Sequence, residues 1–139
     1  MSDRGILLTI QNIHAEKILA GSKYTEYRQL PPKISEPTRT IMYVSSESGE
    51  GSKKVRKIVG EFTMGPVAGE LTDWGYPLPV SNVIRYKNTI PWKSVRTNIP
   101  DIVPPQHNFR YLRPASAADL KLVEMLESHR SGGTKIGWR

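Results

Sequence analysis

The stretch that decides the fold runs from Ile18 to Arg28 and reads ILAGSKYTEYR. Ahead of it, the apolar residues 5–10 predict a short buried strand, and Asn12 is positioned to cap a short helix. Gly21 falls where that helix is expected to stop in a left-handed conformation. Residues 23–28 are rich in Tyr and Thr, which favours a strand. The chain is therefore expected to open with a strand, a helix, a glycine stop and a second strand.

The second predicted strand carries a high density of charge for its length. Strand alternation divides its residues between two faces, with Tyr24, Glu26 and Arg28 on one and Lys23, Thr25 and Tyr27 on the other. A carboxylate and a guanidinium beside an aromatic ring can hydrogen-bond the edge of a base and stack against its plane. The same spacing also fits a solvated Glu–Arg pair on a strand surface, and local spacing alone favours that simpler interpretation.

The rest of the chain predicts short strands joined by turn-rich segments. Strands are predicted near residues 40–44, 55–63, 83–86 and 108–113, with a Ser/Gly/Glu hairpin tip at 45–52. The segment 65–105 is otherwise broken by Pro and Gly, which indicates irregular connections. Ser116 opens the clearest helix, with Asp119 completing a capping box. The apolar stripe of this helix is predicted to contain Leu120, Val123 and Leu126.

These elements predict an α+β fold built on a small β-barrel of mixed, largely antiparallel strands, flanked by two or three helices. A barrel is the economical arrangement because closing a sheet removes its exposed edges. The length of the chain indicates one domain, which we place at residues 1–127. The remaining residues 128–139 are predicted to form a basic, mobile tail.

Composition narrows the class of partner and of chemistry. The 139 residues include 20 Lys and Arg against 13 Asp and Glu, a net charge of +7, which favours a polyanionic partner but also fits a generic basic protein. The absence of cysteine excludes disulfides and thiolate zinc sites, and the three histidines lack metal-ligand spacing. No metal or cofactor is therefore expected. Neither a membrane span nor a signal peptide is evident, so we expect a cytoplasmic protein with no membrane partner.

The stretch 18–28 resembles the ASCH domain family, whose pattern here is a helix followed by Gly-x-Lys-x-x-Glu-x-Arg. Two further stretches agree with that family in order: IMYVSS at 41–46 followed by IVGEF at 58–62, and PPQHNFRYL at 104–112. The resemblance covers most of the chain. It implies a PUA-like β-barrel, related to EVE and YTH domains, with an RNA-associated function and a cleft between the barrel and the first helix.

The resemblance and the charge pattern together predict an RNA-binding protein, DNA being less favoured, that holds a base or modified nucleoside in the cleft. The candidate pocket residues are Lys23, Glu26, Arg28, Tyr43, Ser45, Ser46 and Trp74. The candidate phosphate-binding residues are Arg39, Lys53, Lys54, Arg56 and Lys57. For the lysines, protection of an edge strand is an equally good explanation. A monomer is the default oligomeric state.

An enzyme in the same cleft is the main alternative. Some ASCH proteins are amidohydrolases acting on N4-acetylcytidine, and others are ribonucleases. This chain resembles the amidohydrolases in having a lysine, Lys23, at the position of their catalytic lysine. The amidohydrolases have a threonine three residues later, and this chain has Glu26 at that position. If the chain is an enzyme, Lys23 and Glu26 are the catalytic candidates, unless a bulge turns Thr25 into the cleft. A metal-independent ribonuclease using His14 or His107 with Lys23 and Glu26 also remains open, although His14 is more simply a surface residue near the start of the first helix.

A third class is a protein-interaction module that docks its partner through the C-terminal helix or the basic tail. Retention of labelled RNA separates this class from the first two, because only an RNA-binding protein or an RNA-directed enzyme should retain RNA in a salt-dependent way.

Overall fold

The computed structural model describes residues 5–46, 54–105 and 108–137. Its elements, in chain order, are β1 (Ile6–Ile10), α1 (Asn12–Leu19), β2 (Thr25–Arg28), β3 (Thr38–Ser46), β4 (Lys54–Met64), β5 (Tyr76–Pro91), α2 (Trp92–Asn98), β6 (Phe109–Tyr111), α3 (Ala117–Ser131) and β7 (Thr134–Lys135). None of the helices in these ranges is long and apolar enough to cross a membrane.

The strands form one curled sheet. Its hydrogen-bonded order is β2-β5-β4-β3-β1-β6, and β7 adds to β5. The β1–β3 pair is parallel, and the other named pairs are antiparallel. The sheet curls into a half-barrel with three helices, which confirms the predicted α+β fold of mixed, largely antiparallel strands.

Both faces of the sheet are covered, which explains why β1 reads as a nearly continuous apolar run. Ile6, Leu8 and Ile10 point to the face on which Ala15 and Ile18 of α1 pack. Leu7 points to the opposite face, where it joins a second core. The residues that α2 and α3 add to that second core are Trp92, Val95, Leu122 and Leu126.

The turn after α1 adopts the predicted glycine stop. Gly21 has a φ of +76°, a conformation that L side chains rarely adopt. A Cβ at this position would also collide with the carbonyl oxygen of Gly137. The predicted cap of the helix is wrong, however, because Asn12 is already helical and Gln11 occupies the N-cap position without a side-chain hydrogen bond.

The segment 65–105, predicted to be irregular around one short strand, instead contains the long strand β5 and the helix α2. Two prolines inside β5, Pro77 and Pro79, are tolerated because the segment that follows β4 hydrogen-bonds to their carbonyl groups. The carbonyl oxygen of Pro79 accepts a hydrogen bond from the Gly65 amide, and that of Pro77 accepts from the Ala68 amide. The connection after β4 needs only these carbonyls, so the missing proline N–H groups leave no ladder bond unmade.

The C-terminal helix begins as predicted but buries a different stripe. Ser116 caps α3 by accepting a hydrogen bond from the Asp119 amide. Leu120 is half exposed, however, and Leu122 lies in the core in its place. The prediction of a mobile segment from residue 128 is also wrong for residues 128–135, because α3 continues to Ser131 and β7 pairs with the edge of β5.

Candidate functional site

The candidate site lies at a seam where the half-barrel is closed by side chains. β2 and β6 end the hydrogen-bonded strand order, so no backbone ladder joins them. Arg28 of β2 spans the gap: Nη1 donates to Oδ1 of Asn108 at 2.9 Å, and Nη2 donates to the carbonyl oxygen of Thr9 at 2.8 Å. The planar guanidinium suits this task because its donors form a rigid fork. Asn108 in turn donates from Nδ2 to the Leu30 carbonyl at 2.6 Å, which ties the chain after β2 to the same seam.

Glu26 is the buried centre of this arrangement, at 3% exposure. Its Oε2 accepts from Nε and Nη2 of Arg28 at 2.9 and 2.6 Å, and its Oε1 accepts from Nζ of Lys23 at 2.7 Å. Burial alone would raise the pKa of the Glu26 carboxyl, but the charges of Arg28 and Lys23 and their hydrogen bonds outweigh burial, so the pKa is lowered. The carboxylate therefore stays ionised and holds both cations in place.

Lys23 is held by two contacts and retains one donor. Its ammonium lies 2.7 Å from Glu26 and 3.3 Å from Nδ1 of His14. An ammonium has three donors, so one remains after these two contacts. Arg28 uses four of its five N–H donors on protein atoms, and its fork is held on both sides of the seam.

His14 is brought into the site by α1. Burial lowers the pKa of its imidazole, and the nearby Lys23 ammonium lowers it further. The ring is therefore neutral at pH 7, with Nδ1 positioned to accept from Lys23 and the proton assigned to Nε2. The interpretation of His14 as a surface residue is wrong, because the side chain is half-buried and lines the cavity described next.

An open cavity of about 720 Å³ occupies the seam. Its walls come from the end of β1, from α1, from β2 and the residues after it, and from isolated positions in other elements. The lining residues are Thr9, Ile10, Gln11, His14, Lys23, Glu26, Tyr27, Arg28, Gln29, Leu30, Ser45, Trp74 and Asn108. The volume falls within the range of about 300–1,000 Å³ that small-molecule sites typically occupy.

The rim of the cavity is aromatic and apolar. Trp74 is 74% exposed and Leu30 is 75% exposed. Trp74 meets Tyr27 edge to face, with ring centroids 5.6 Å apart. The rim therefore offers flat ring surfaces next to the charged floor.

Five of the seven predicted pocket residues line this cavity: Lys23, Glu26, Arg28, Ser45 and Trp74. Tyr43 does not, and its placement in the pocket is wrong. Its ring is buried against Trp92 on the opposite face of the sheet, with centroids 5.2 Å apart, because alternate strand residues face opposite ways. Ser45 reaches the cavity because the β3–β4 register shifts after Val44. The side chain of Ser46 lies outside the described residues.

The predicted phosphate-binding residues divide into separate groups. Arg39 is engaged by protein carboxylates, at 2.5 Å to the buried Glu61 and 3.1 Å to Glu127, so its assignment to phosphate is wrong. Lys53 and the side chain of Lys54 lie outside the described residues. Arg56 is exposed and Lys57 is half-buried, and both lie on β4.

Two cavity residues, Thr9 and Asn108, lack any sequence signal that marks them individually. Asn108 belongs to the PPQHNFRYL stretch, so the family resemblance points to its neighbourhood without assigning it a role. Within the described ranges, no group of three or more His, Asp or Glu side chains is arranged to hold a metal ion. The chemistry of the cavity therefore rests on Lys23, Glu26 and His14.

The described residues combine a curled mixed sheet, three helices and a polar cavity at the seam of the sheet. The ASCH protein of Zymomonas mobilis has the same fold: its crystal structure superposes with a TM-score of 0.59 at 14% identity, covering 94% of this chain and 96% of that chain. A serine-to-alanine mutant of that protein gives a TM-score of 0.60 at 15% identity, covering 88% of this chain and 95% of that chain.

A tyrosine-to-phenylalanine mutant of the same protein superposes equally well, with a TM-score of 0.60 at 14% identity, covering 88% of this chain and 97% of that chain. The predicted resemblance to ASCH domains is therefore confirmed for the fold. No protein-family model and no curated protein sequence matches the chain.

Proposed function

We propose that this protein binds RNA and takes one base or modified nucleoside into the seam cavity. The observation that carries the proposal is the Lys23 ammonium, which a buried carboxylate fixes at the cavity wall with one donor left over. A fixed donor reads an acceptor on a base edge better than a mobile one, because little side-chain entropy is lost on binding.

The surroundings of Lys23 suit a base more than a bare phosphate. The two cations that line the cavity are Lys23 and Arg28, and the Glu26 carboxylate offsets one of their charges. Because His14 is neutral, the group carries a single net positive charge. The Gln11 and Gln29 amides in the lining can each donate and accept hydrogen bonds, as the edge of a base requires. Trp74 at the rim supplies a ring on which a base can stack. The net charge of +7 of the whole chain adds attraction for the phosphate backbone.

Fluorescence anisotropy with labelled single-stranded RNA tests the proposal. We expect saturable binding that weakens as salt rises, and a loss of affinity in the Lys23→Gln variant. Trp74→Ala should weaken binding by about 5- to 150-fold, the equivalent of ~1–3 kcal/mol for one stacked base. Lys121→Gln, an exposed lysine on α3, is the matched control for loss of a charge. Absence of saturable RNA binding by the unmodified protein would refute the proposal.

A ribonuclease activity in the same cavity is the second candidate. It is favoured by the His14–Lys23 contact of 3.3 Å, together with the lowered pKa of His14. Nδ1 carries the lone pair of the neutral imidazole, so it can take a proton from an attacking hydroxyl once the Lys23 ammonium turns from Nδ1 toward the negative charge that develops. Incubation of labelled RNA with a chelator present tests it. Cleavage by the unmodified protein that is lost in His14→Gln would support catalysis, and unchanged RNA would leave binding alone.

The amidohydrolase alternative has less support. It needs a threonine in the cleft, but the pairing of β2 with β5 runs from Thr25 to Arg28 without a register shift. Thr25 therefore keeps the orientation opposite to that of Glu26. Acetate release from N4-acetylcytidine that depends on Lys23 would reverse this ranking.

A further inference from the structure

A second basic surface lies on α2, outside the seam cavity. Trp92 and Val95 turn into the core, while Lys93, Arg96 and Thr97 face outward. These three share one side of the helix because residues three and four apart are neighbours on its surface. With Pro100 they line a shallow depression of about 280 Å³. We call Lys93, Arg96 and Thr97 the α2 basic face.

The charge of the α2 basic face is not neutralised within the protein. Among the residues that the structure describes, neither Lys93 nor Arg96 has an ion-pair partner. The sequence of α2, WKSVRTN, contains no acidic residue. Three arginines elsewhere in the fold differ in this respect, since Arg28, Arg39 and Arg110 each bind a buried carboxylate. The α2 basic face is therefore suited to an anionic partner.

The sheet register connects the α2 basic face to the cavity. Val44, the residue before the cavity-lining Ser45, pairs with Lys57 of β4. Lys57 in turn pairs with Pro91, which immediately precedes α2. Neighbouring strands lie about 4.8 Å apart, so two steps across the sheet cover about 10 Å. The cavity and the start of α2 thus lie at the same end of three adjacent strands but on opposite faces of the sheet, so a strand of RNA that reaches both must pass around that end, where Lys57 lies.

We propose that the α2 basic face binds phosphates of the same RNA strand whose base enters the cavity, with Lys57 between the two sites. The ligand is then an oligonucleotide rather than a free nucleoside. This inference rests on the proposed function and adds the polymeric nature of its substrate. The side chains of Lys93 and Arg96 supply the contacts, and the Thr97 hydroxyl borders the same depression.

Salt-dependent anisotropy measurements on the double variant Lys93→Gln/Arg96→Gln test the proposal. The probe is a labelled single-stranded RNA of about twelve nucleotides, within the site sizes known for small barrels. Two lost phosphate contacts should flatten the slope of log affinity against log salt by about 1.4. If the variant and the unmodified protein bind equally at 1 M salt, the variant should therefore bind about 25-fold more weakly than the unmodified protein at 0.1 M salt. A labelled dinucleotide, which spans less than the distance of about 10 Å between the cavity and the start of α2, should bind the variant and the unmodified protein equally.

The matched control is Lys121→Gln/Lys135→Gln, which removes the same charge from exposed positions on α3 and β7. It should retain both the slope and the affinity of the unmodified protein. A slope unchanged in Lys93→Gln/Arg96→Gln, or a loss equal to that of the control, overturns the role of α2 while leaving RNA binding in place. If the unmodified protein binds neither RNA, the proposed function itself fails.

Discussion

Replacement of Glu26 by glutamine is the most direct test of the buried charge network. The substitution keeps the size of the side chain and removes its charge. It leaves Lys23 and Arg28, whose side chains are only 15% and 14% exposed, without the carboxylate that neutralises them. Removal of one partner from a buried ion pair typically costs about 3–5 kcal/mol of unfolding free energy. Small domains have about 5–15 kcal/mol in total, so the variant should lose a large fraction of its stability.

Urea unfolding followed by circular dichroism measures this loss as a lower midpoint at an unchanged slope. The pH dependence supplies an independent check. Because the pKa of Glu26 is lowered in the folded protein, its contribution is complete above about pH 4.3, the ordinary glutamate value, and is lost as pH falls through the folded value. The stability difference between the unmodified protein and Glu26→Gln should therefore be largest near neutral pH and shrink in acid.

Glu16→Gln is the matched control for this substitution. Glu16 pairs with Arg85 at 3.4 Å, but both side chains are about half exposed, so its loss should cost less than about 1 kcal/mol. The reasoning is refuted if Glu26→Gln costs no more than Glu16→Gln at pH 7. It is also refuted if the stability difference for Glu26→Gln stays constant on acidification.

Three further substitutions test separate parts of the fold. Arg28→Lys removes the fork that reaches Glu26, Asn108 and Thr9 together, and should cost ~2–3 kcal/mol in urea unfolding, with faster hydrogen exchange at the seam. Gly21→Ala should cost at least about 1–2 kcal/mol because of its positive φ, and a thermal midpoint equal to that of the unmodified protein would contradict this. Leu122→Ala should cost ~2–5 kcal/mol, whereas Leu120→Ala, in the exposed position, should change stability by less than about 0.5 kcal/mol in the same assay.

Local sequence patterns predict the first strand, the glycine stop and the cap of the last helix because the forces at these places are local. The apolar run of β1, the glycine at φ +76° and the serine cap of α3 each depend on neighbouring residues. The same patterns do not predict β5 or α2, because the prolines of β5 are tolerated only through pairing with residues 65–68. They also misplace Leu120, since the direction from which the sheet approaches α3 decides which stripe is buried.

The sequence by itself determines which residues supply the charge of the candidate site, since Lys23, Glu26 and Arg28 lie within one turn and strand. Only the tertiary structure decides what each of them does. The curl of the sheet brings β2 against the end of β1 and against Asn108, and no local spacing encodes that proximity. Because the seam would otherwise leave buried polar groups unpaired, Arg28 is used to close the barrel, while Lys23 is held by Glu26 at the wall of the cavity.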